Sequence, residues 1–371
     1  MNLSYWEHST WLRNIDYAII GSGIVGLSCA LALRDQHPKS KIVIFEKGIL
    51  PSGASTKNAG FACFGSLSEI LDDLESHTEE EVIQLVRTRL DGLKLLRKTL
   101  GDDGLRYKEH GGYELFKEAN TNFFEKCLTQ QAYVNDLLHP IFQADVFSVV
   151  ENTFNFGAVQ PQLIFNQFEG QLDTGHMMSG LLQKAIAANI FILNSAEVTK
   201  ISEGNTDVSF QINNSLELRA QQLCIATNGF ASQLLDEKVV PARAQVLVTK
   251  PIENLHIKGT FHLEKGYYYF RNIDNRILLG GGRNLDFDAE QTSEMGLTEL
   301  VQNTLEELLS TTILPNRTLE IEDRWSGIMG VGPQKRPIVK QISEHIYCGV
   351  RLGGMGVAIG SSVGKKLADL I

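Results

Sequence analysis

The chain has 371 residues, with 43% hydrophobic and 21% charged side chains, so wholesale disorder is excluded. Its length calls for about two domains, and 44 acidic residues against 34 basic ones leave a net charge of -10, which excludes a nucleic-acid footprint. The excess of 33 glycines over 9 prolines follows no G-x-y period and no Gly/Ser linker, which points to backbone that must come close to something.

Residues 1–14 read as an aromatic-containing arm. Residues 15–20 form a short apolar run ending at Gly21, the pattern of a buried parallel strand. Residues 24–34 read as an Ala- and Leu-rich helix, and residues 41–45 as a second strand. Strand, turn, helix and strand within about 30 residues make a βαβ unit. The uncharged stretch 17–33 is not read as a signal or membrane segment. Glu7 and Asp16 precede it, glycines interrupt it, and it is short for a bilayer.

Residues 48–66 are loop-like, and helical spacing covers 68–100. Residues 104–117 suggest strands and a turn, 119–139 a helix, and 172–188 a helix entered through Asp173 or Thr174. Strands are expected in 190–201, 208–212, 222–226 and over most of 240–283, with a turn at Asp274 and Asn275. A helix over 297–309, a strand at 346–349, a glycine-rich bend and a helix over 361–371 complete the chain, without internal repeats. The fold class is therefore α/β (α+β overall). A Rossmann-like domain of residues 1–85, 145–230 and 324–371 interleaves with a β-sheet substrate domain of 86–144 and 231–323.

Gly21-Ser22-Gly23-Ile24-Val25-Gly26 sits between the first strand and helix, and Glu46 closes the next strand 20 residues after Gly26. Gly21 permits the tight turn, Gly23 lets a pyrophosphate approach, and Gly26 lets helix and strand pack closely. The helix N-terminus supplies N–H donors and a positive dipole end. Glu46 would accept from ribose hydroxyls and repel a 2′-phosphate, so NADP is disfavoured while NAD and FAD remain.

Four segments resemble the D-amino-acid oxidase/glycine oxidase superfamily of FAD-dependent oxidoreductases: DYAIIGSGIVGLSCALAL…IVIFEKG, SGASTKNAGFA, QLDTGHMMSGLLQKA…AEVTKI with CIATNGFAS, and RPIVKQISEHIYCGVRLGGMGVAIGSSVGKKLADLI. SYW near the start and WSGIMGVGPQKRP lean toward the γ-glutamylputrescine oxidase-like branch. The resemblance implies FAD, bound non-covalently, and hydride transfer to flavin N5 from the carbon bearing the nitrogen of an amine or amino acid. It implies that Lys47 lies at the cofactor and that residues 53–61, with Ala54, Ser55, Asn58, Ala59 and Gly60, pass beside the flavin ring. Val198 would meet the adenine with its backbone, and Thr227, Asn228 and Gly229 would approach the nucleotide. Gly353, Gly354, Met355, Gly356 and Val357 would open a last helix whose N-terminus stabilises charge at the flavin pyrimidine.

On the substrate side, the resemblance places Tyr268 over the substrate. Strand alternation puts Phe270 on its face and Tyr267, Tyr269 and Arg271 on the other; ordinary cross-strand packing is the alternative. Trp325 would shape the pocket. Met329 stands where the family's carboxylate-binding arginine is expected, leaving Arg283 or Arg351 as carboxylate anchors or as surface ion-pair residues. No catalytic His–carboxylate pair is obvious, which fits chemistry without a protein base. No H-E-x-x-H or G-x-S-x-G occurs, and the 5 cysteines show no C-x-x-C, so metal, hydrolase and disulfide readings fall away. The expected setting is cytoplasmic. The expected partners are a small amine or amino acid and oxygen or another electron acceptor, with no nucleic acid and no integral membrane segment. A flavoprotein subunit without turnover and an NAD-dependent dehydrogenase are the rivals.

Overall fold

The strand Ile15–Ile20 is apolar because it has parallel neighbours on both sides, Ile42–Phe45 and Leu216–Ile225. In the computed structural model, which describes residues 3–315 and 317–371, it belongs to an eight-stranded sheet. The order is Ile338–Gln341, Ile346–Val350, Leu216–Ile225, Ile15–Ile20, Ile42–Phe45, Phe191–Leu193, with Val208–Ile212 antiparallel to Leu216–Ile225 and Val198–Glu203 antiparallel to Val208–Ile212. The helices Ile24–Gln36, Thr174–Ala187 and Gly356–Ala368 cover one face through Ile19, Ile44, Leu27, Met177 and Val363. The other face buries Ile20, Val43 and Phe45 against Val198 and Phe210.

The second eight-stranded sheet runs Ile321–Val331, Val240–Thr249, Arg276–Gly281, Tyr268–Ile273, Thr260–Leu263, Gly112–Leu115, Gln162–Asn166, Phe147–Glu151. One face packs Leu247, Phe261, Phe270 and Leu279 against Val301, Leu305 and Leu308, the apolar stripe of the helix Glu299–Leu308. The opposite face turns toward the first sheet.

The order of the second sheet corrects the division read from the sequence. Phe147–Glu151, Gln162–Asn166 and Ile321–Val331 belong to the second sheet, although residues 145–230 and 324–371 were assigned to the nucleotide-type domain. The strand Phe147–Glu151 sits at the sheet edge and is mostly exposed beyond Phe147, so it carries little apolar signal. Conversely, the helix Glu79–Leu100 runs unbroken through the expected boundary at 85. It lies along the last helix, and a Cβ at Gly92 would sit 2.0 Å from the Ala358 carbonyl oxygen.

Helix ends explain the remaining differences. The helical spacing over 68–100 divides at Thr78, because Ser66 with Glu69 and Thr78 with Glu81 each form a capping box. Asp173 caps Thr174–Ala187 by accepting from the His176 amide. The arm at the start is helical from Tyr5, capped by Ser4 and Glu7. The turn at Asp274 and Asn275 holds both residues at positive φ, 43° and 59°, as a two-residue hairpin turn demands.

Candidate functional site

The end of the strand Ile15–Ile20 and the start of the helix Ile24–Gln36 form one end of a cleft of about 590 Å³ between the two sheets. Gly21 holds φ at 101°, and a Cβ at Gly26 would lie 1.9 Å from the Gly21 carbonyl oxygen. Only a residue without a Cβ at position 26 lets the helix start come so close to the strand. The glycine N-cap offers no side-chain cap, and Ser55 Oγ meets the Ile24 amide at 3.0 Å. The Val25 and Gly26 amides precede the first intrahelical bond, from Leu27 to Gly23 O, and so are first-turn donors of the kind that receive an anion.

Glu46 is buried, and four donors hold its carboxylate. The Ser22 amide and hydroxyl lie at 3.1 and 2.8 Å, the Gly48 amide at 2.9 Å and the Ser52 hydroxyl at 3.0 Å. Ser22 therefore serves Glu46 and does not line the cleft. Lys47 Nζ rests 3.4 Å from the centre of the Phe230 ring, and Val198 lines the cleft from the neighbouring strand. Thr227 lines it too, with a buried Oγ1 that has no partner among the described residues. Asn228 adopts positive φ, 45°, and accepts from the Leu352 amide at 3.1 Å, tying this turn to the glycine-rich bend. Gly229 is a packing position, since a Cβ would meet the Met329 carbonyl oxygen at 2.6 Å.

The loop 53–60 forms the middle wall, through Gly53, Ala54, Ser55, Lys57, Asn58 and Ala59. Asn58 folds it from within, donating to Ser55 O and accepting from the Gly60 amide and the Thr174 hydroxyl, each at 2.8–2.9 Å. Two side chains of the second sheet fasten it from outside. Arg271 donates to the carbonyls of Ala59 and, at 2.9 Å, Leu172; its burial pulls the guanidinium down to about 10. Trp325 Nε1 donates to Lys57 O at 2.9 Å. Trp325 thus positions the loop and does not itself line the cleft. Gly60 sits under Arg271 rather than at the cleft. Across the cleft, Gly353, Gly354, Met355, Gly356 and Val357 open the last helix, which has no side-chain cap.

The far end is lined by His262, Tyr267, Tyr269, Arg283, Ile328 and Met329. Here Tyr268 requires a correction. It is 4% exposed and packs with Phe270 into the core behind the sheet, while Tyr269 faces the cleft. The expected alternation holds, but the cleft lies on the other face. Tyr269 stands in a cross-strand row with Glu114, His262, Gly280, Val246 and Trp325. Gly280 makes room for its ring, because a Cβ there would meet the Tyr269 hydroxyl at 2.7 Å. Burial pushes the Tyr269 phenol up to about 12, so it stays a neutral donor.

Arg283 extends between Tyr267 and Phe287, its guanidinium carbon 5.9 and 4.9 Å from their ring centres, and makes no ion pair among the described residues. Arg351 is more constrained. It adopts φ of 63° and donates to Arg336 O at 3.0 Å and Lys238 O at 3.5 Å, and burial lowers its pKa. Cys63 lines the cleft 3.9 Å from Met355 Sδ, and burial pushes its thiol well up. Among the described residues no three His, Cys, Asp or Glu side chains converge on a metal site, and no helix is long and apolar enough to cross a membrane.

The profile of the family described as "DAO: FAD dependent oxidoreductase" matches residues 16–370. The chain belongs to the DAO family of FAD-dependent oxidoreductases. It is similar to the probable oxidoreductase OrdL of Haemophilus influenzae, 20% identical over 392 aligned positions that cover 98% of this chain and 84% of the relative. Its fold is that of the glycine oxidase from Bacillus cereus (TM-score 0.75, 17% identity, 96% of this chain and 97% of that one). It also matches the L-proline dehydrogenase from P. horikoshii (TM-score 0.74, 18% identity, 96% and 93%).

The DAO family cofactor is FAD, and family membership sets aside the NAD-dependent reading. The residues present suit it. Bare glycine backbone at the first turn fits a pyrophosphate, Glu46 a ribose, the unpartnered Thr227 hydroxyl a polar nucleotide atom, and the small-residue loop 53–60 a flat ring. Sequence reasoning missed His262, Tyr269 as a cleft residue, and the fastening role of Arg271. Tyr269 and Arg271 were visible as the opposite face of one strand, whereas His262 carried no motif.

Proposed function

We propose that this DAO-family protein oxidises a C–N bond of a small amine or amino acid bound between the loop 53–60 and the second sheet. The observation that carries this reading is the continuity of the cleft, which runs from Glu46 to Tyr269 and Arg283 without a dividing wall. A dinucleotide along its length and a small molecule at its end share one space. The glycine oxidase and L-proline dehydrogenase that share this fold are named for amino acids, which supports the substrate class.

Bound FAD supplies a two-electron acceptor for hydride from the carbon bearing the nitrogen. The chain holds it through Gly21, Gly23, Ile24 and Val25 at the pyrophosphate and Glu46 at the ribose. Lys47, Val198, Thr227 and Asn228 line the nucleotide end, while Ala54, Ser55, Asn58, Ala59, Gly353, Gly354, Met355, Gly356 and Val357 line the ring. Non-covalent attachment is supported by the burial of Cys63, which raises its thiol and disfavours the thiolate that a tether needs. Tyr269 donates a hydrogen bond into the substrate space. Arg283 anchors a carboxylate, being the cleft guanidinium held only by aromatic rings, whereas Arg351 is committed to backbone carbonyls.

Anaerobic mixing with glycine, N-methylglycine, L-proline, D-alanine and 1,4-diaminobutane tests the class. Bleaching of the flavin by at least one is expected, and Arg283→Ala should weaken the amino acids but not the diamine. If none bleaches it, the substrate class is wrong. Admitting air or a dye afterwards identifies the electron acceptor.

A further inference from the structure

The fold assembles a histidine–carboxylate pair from residues 93 positions apart. His262 Nε2 lies 2.9 Å from Glu169 Oε2, with the two residues 4% and 1% exposed. Glu169 is held in place. Thr260 Oγ1 donates to the same oxygen at 3.0 Å and Asn166 Nδ2 to the other at 3.3 Å. Gly112 leaves the room, since a Cβ there would lie 2.0 Å from the carboxylate. Phe61 stands edge-on to the imidazole at 5.3 Å. His262 lines the cleft beside Tyr269, and its Nδ1 has no hydrogen-bond partner among the described residues.

Facing a carboxylate, Nε2 carries the ring hydrogen, so the neutral imidazole presents a lone pair at Nδ1. A carboxylate that fixes the tautomer and then stabilises the imidazolium is the arrangement of a general base. Loss of hydride from an amine carbon needs the nitrogen lone pair, yet amines reach the protein as ammonium ions at neutral pH. We propose that His262, oriented by Glu169, accepts the ammonium proton of the substrate at Nδ1 and so delivers the neutral amine to the cleft. The N–H bond breaks with its electron pair left on nitrogen, a bond from Nδ1 to hydrogen forms, and the positive charge passes to the imidazole. Nothing is oxidised or reduced in this step, and the proton later leaves to water. The proposal rests on the amine-oxidising function.

The surroundings favour an imidazolium. Burial opposes it, but Glu169 outweighs burial, with Glu69 and Glu114 adding to the effect, and raises His262 to about 9. Tyr269 and Cys63 also face this region, and both stay neutral. Of the cations lining the cleft, Lys265 is paired with Asp72 and Arg89 with Asp73, while Arg283 has no ion pair among the described residues. Below that value the imidazole already carries a proton, so the neutral form that accepts at Nδ1, and with it the transfer, grows as pH rises toward it.

The test is the rate of anaerobic flavin bleaching by glycine, or by the fastest compound of the panel above, from pH 6 to 10. The wild type should show an acidic limb near pH 9. In Glu169→Gln the limb should move at least one pH unit lower, because the imidazolium loses its counter-charge. In His262→Asn bleaching at pH 8, where about a tenth of His262 is the neutral base, should slow about 10-fold and recover toward high pH, where the amine is already neutral. A limb at the same pH in Glu169→Gln, or a rate within about threefold of wild type in His262→Asn, overturns the proposal. Labelled-histidine NMR reads the pair without turnover. His262 should titrate above an ordinary histidine and drop in Glu169→Gln, and an unshifted titration also overturns it. If no compound bleaches the flavin, it is the functional reading that fails, and the NMR result still decides whether the pair is a base.

Discussion

The two ends of the cleft are built by different means. At the nucleotide end the backbone makes the site: Gly21, Gly26 and the helix start leave no space for side chains, and Glu46 is locked by four donors. At the substrate end side chains make it, and which ones depends on which face of a sheet meets the cleft. A backbone-made site is carried by a short contiguous sequence. A side-chain-made site is carried by parity and by contacts between distant residues, and can change with one strand's orientation.

The sharpest break of this contrast is Gly26→Ala. The added Cβ would meet a backbone carbonyl at 1.9 Å, which cannot rotate away. A cost of about 3 kcal/mol or more is expected, read as roughly 100-fold weaker FAD binding in a flavin-fluorescence titration. Gly104→Ala is the control, because it lies outside the cleft and a Cβ there comes no nearer than 3.9 Å to Leu100 Cβ, and it should bind FAD as wild type. If both behave alike, the turn is not made by backbone proximity.

Two adjacent tyrosines test the other end. Tyr268→Ala should cost about 3–5 kcal/mol in denaturant unfolding, because it empties a core position, while the folded protein keeps its kinetics. Tyr269→Phe should leave stability within about 0.5 kcal/mol and change the bleaching rate by an amine substrate. The reverse outcome would place the cleft on the Tyr268 face.

These pairs also show what was legible beforehand. The strand–turn–helix with Glu46, the small-residue loop and the closing glycine bend were readable, because each is local and its residue types are dictated by backbone clearance. The alternation of 267–271 was readable as well; which face met the cleft was not, since that is set by strands as remote as Ile321–Val331. The pairing of His262 with Glu169 needed the register of Thr260–Leu263 beside Gly112–Leu115, and sequence spacing holds no trace of it. The domain division failed for the same reason, at an edge strand with little apolar content.

The buried polar groups of the second sheet make a smaller prediction. Burial raises Glu114 to about 7, against hydrogen bonds from Ser68 that pull it down, and Glu169 raises His262 to about 9 despite burial. Both groups hold protons more tightly in the folded state. The His262 contribution is complete below its ordinary pKa near 6.5 and is lost as pH rises through about 9; the Glu114 contribution is lost between about 4.5 and 7. Unfolding free energy should therefore fall from pH 5 to pH 9.5, by at most about 3 kcal/mol per group. Glu169→Gln should flatten the upper part of that curve and leave the lower part. A curve that rises over this range would contradict both assignments.

The smallest effect concerns Trp325, which joins the two ends by fastening the loop 53–60 to the second sheet. Trp325→Phe keeps an aromatic ring against Ala59, Val246 and Leu278 but removes the donor to Lys57 O. The expected loss is about 1 kcal/mol, and it falls on the loop rather than on the whole fold. Arg271 and Asn58 still hold the loop, so global unfolding should barely move. Hydrogen exchange at the amides of 53–60 should quicken about fivefold, the ratio that such an energy sets for local opening. Saturating FAD should restore protection if the loop lies against the bound ring, because a ligand that binds only the closed loop draws the equilibrium back. Faster exchange that FAD leaves untouched would mean that the loop does not contact the cofactor, and the backbone-made end of the cleft would then stop at Ser55.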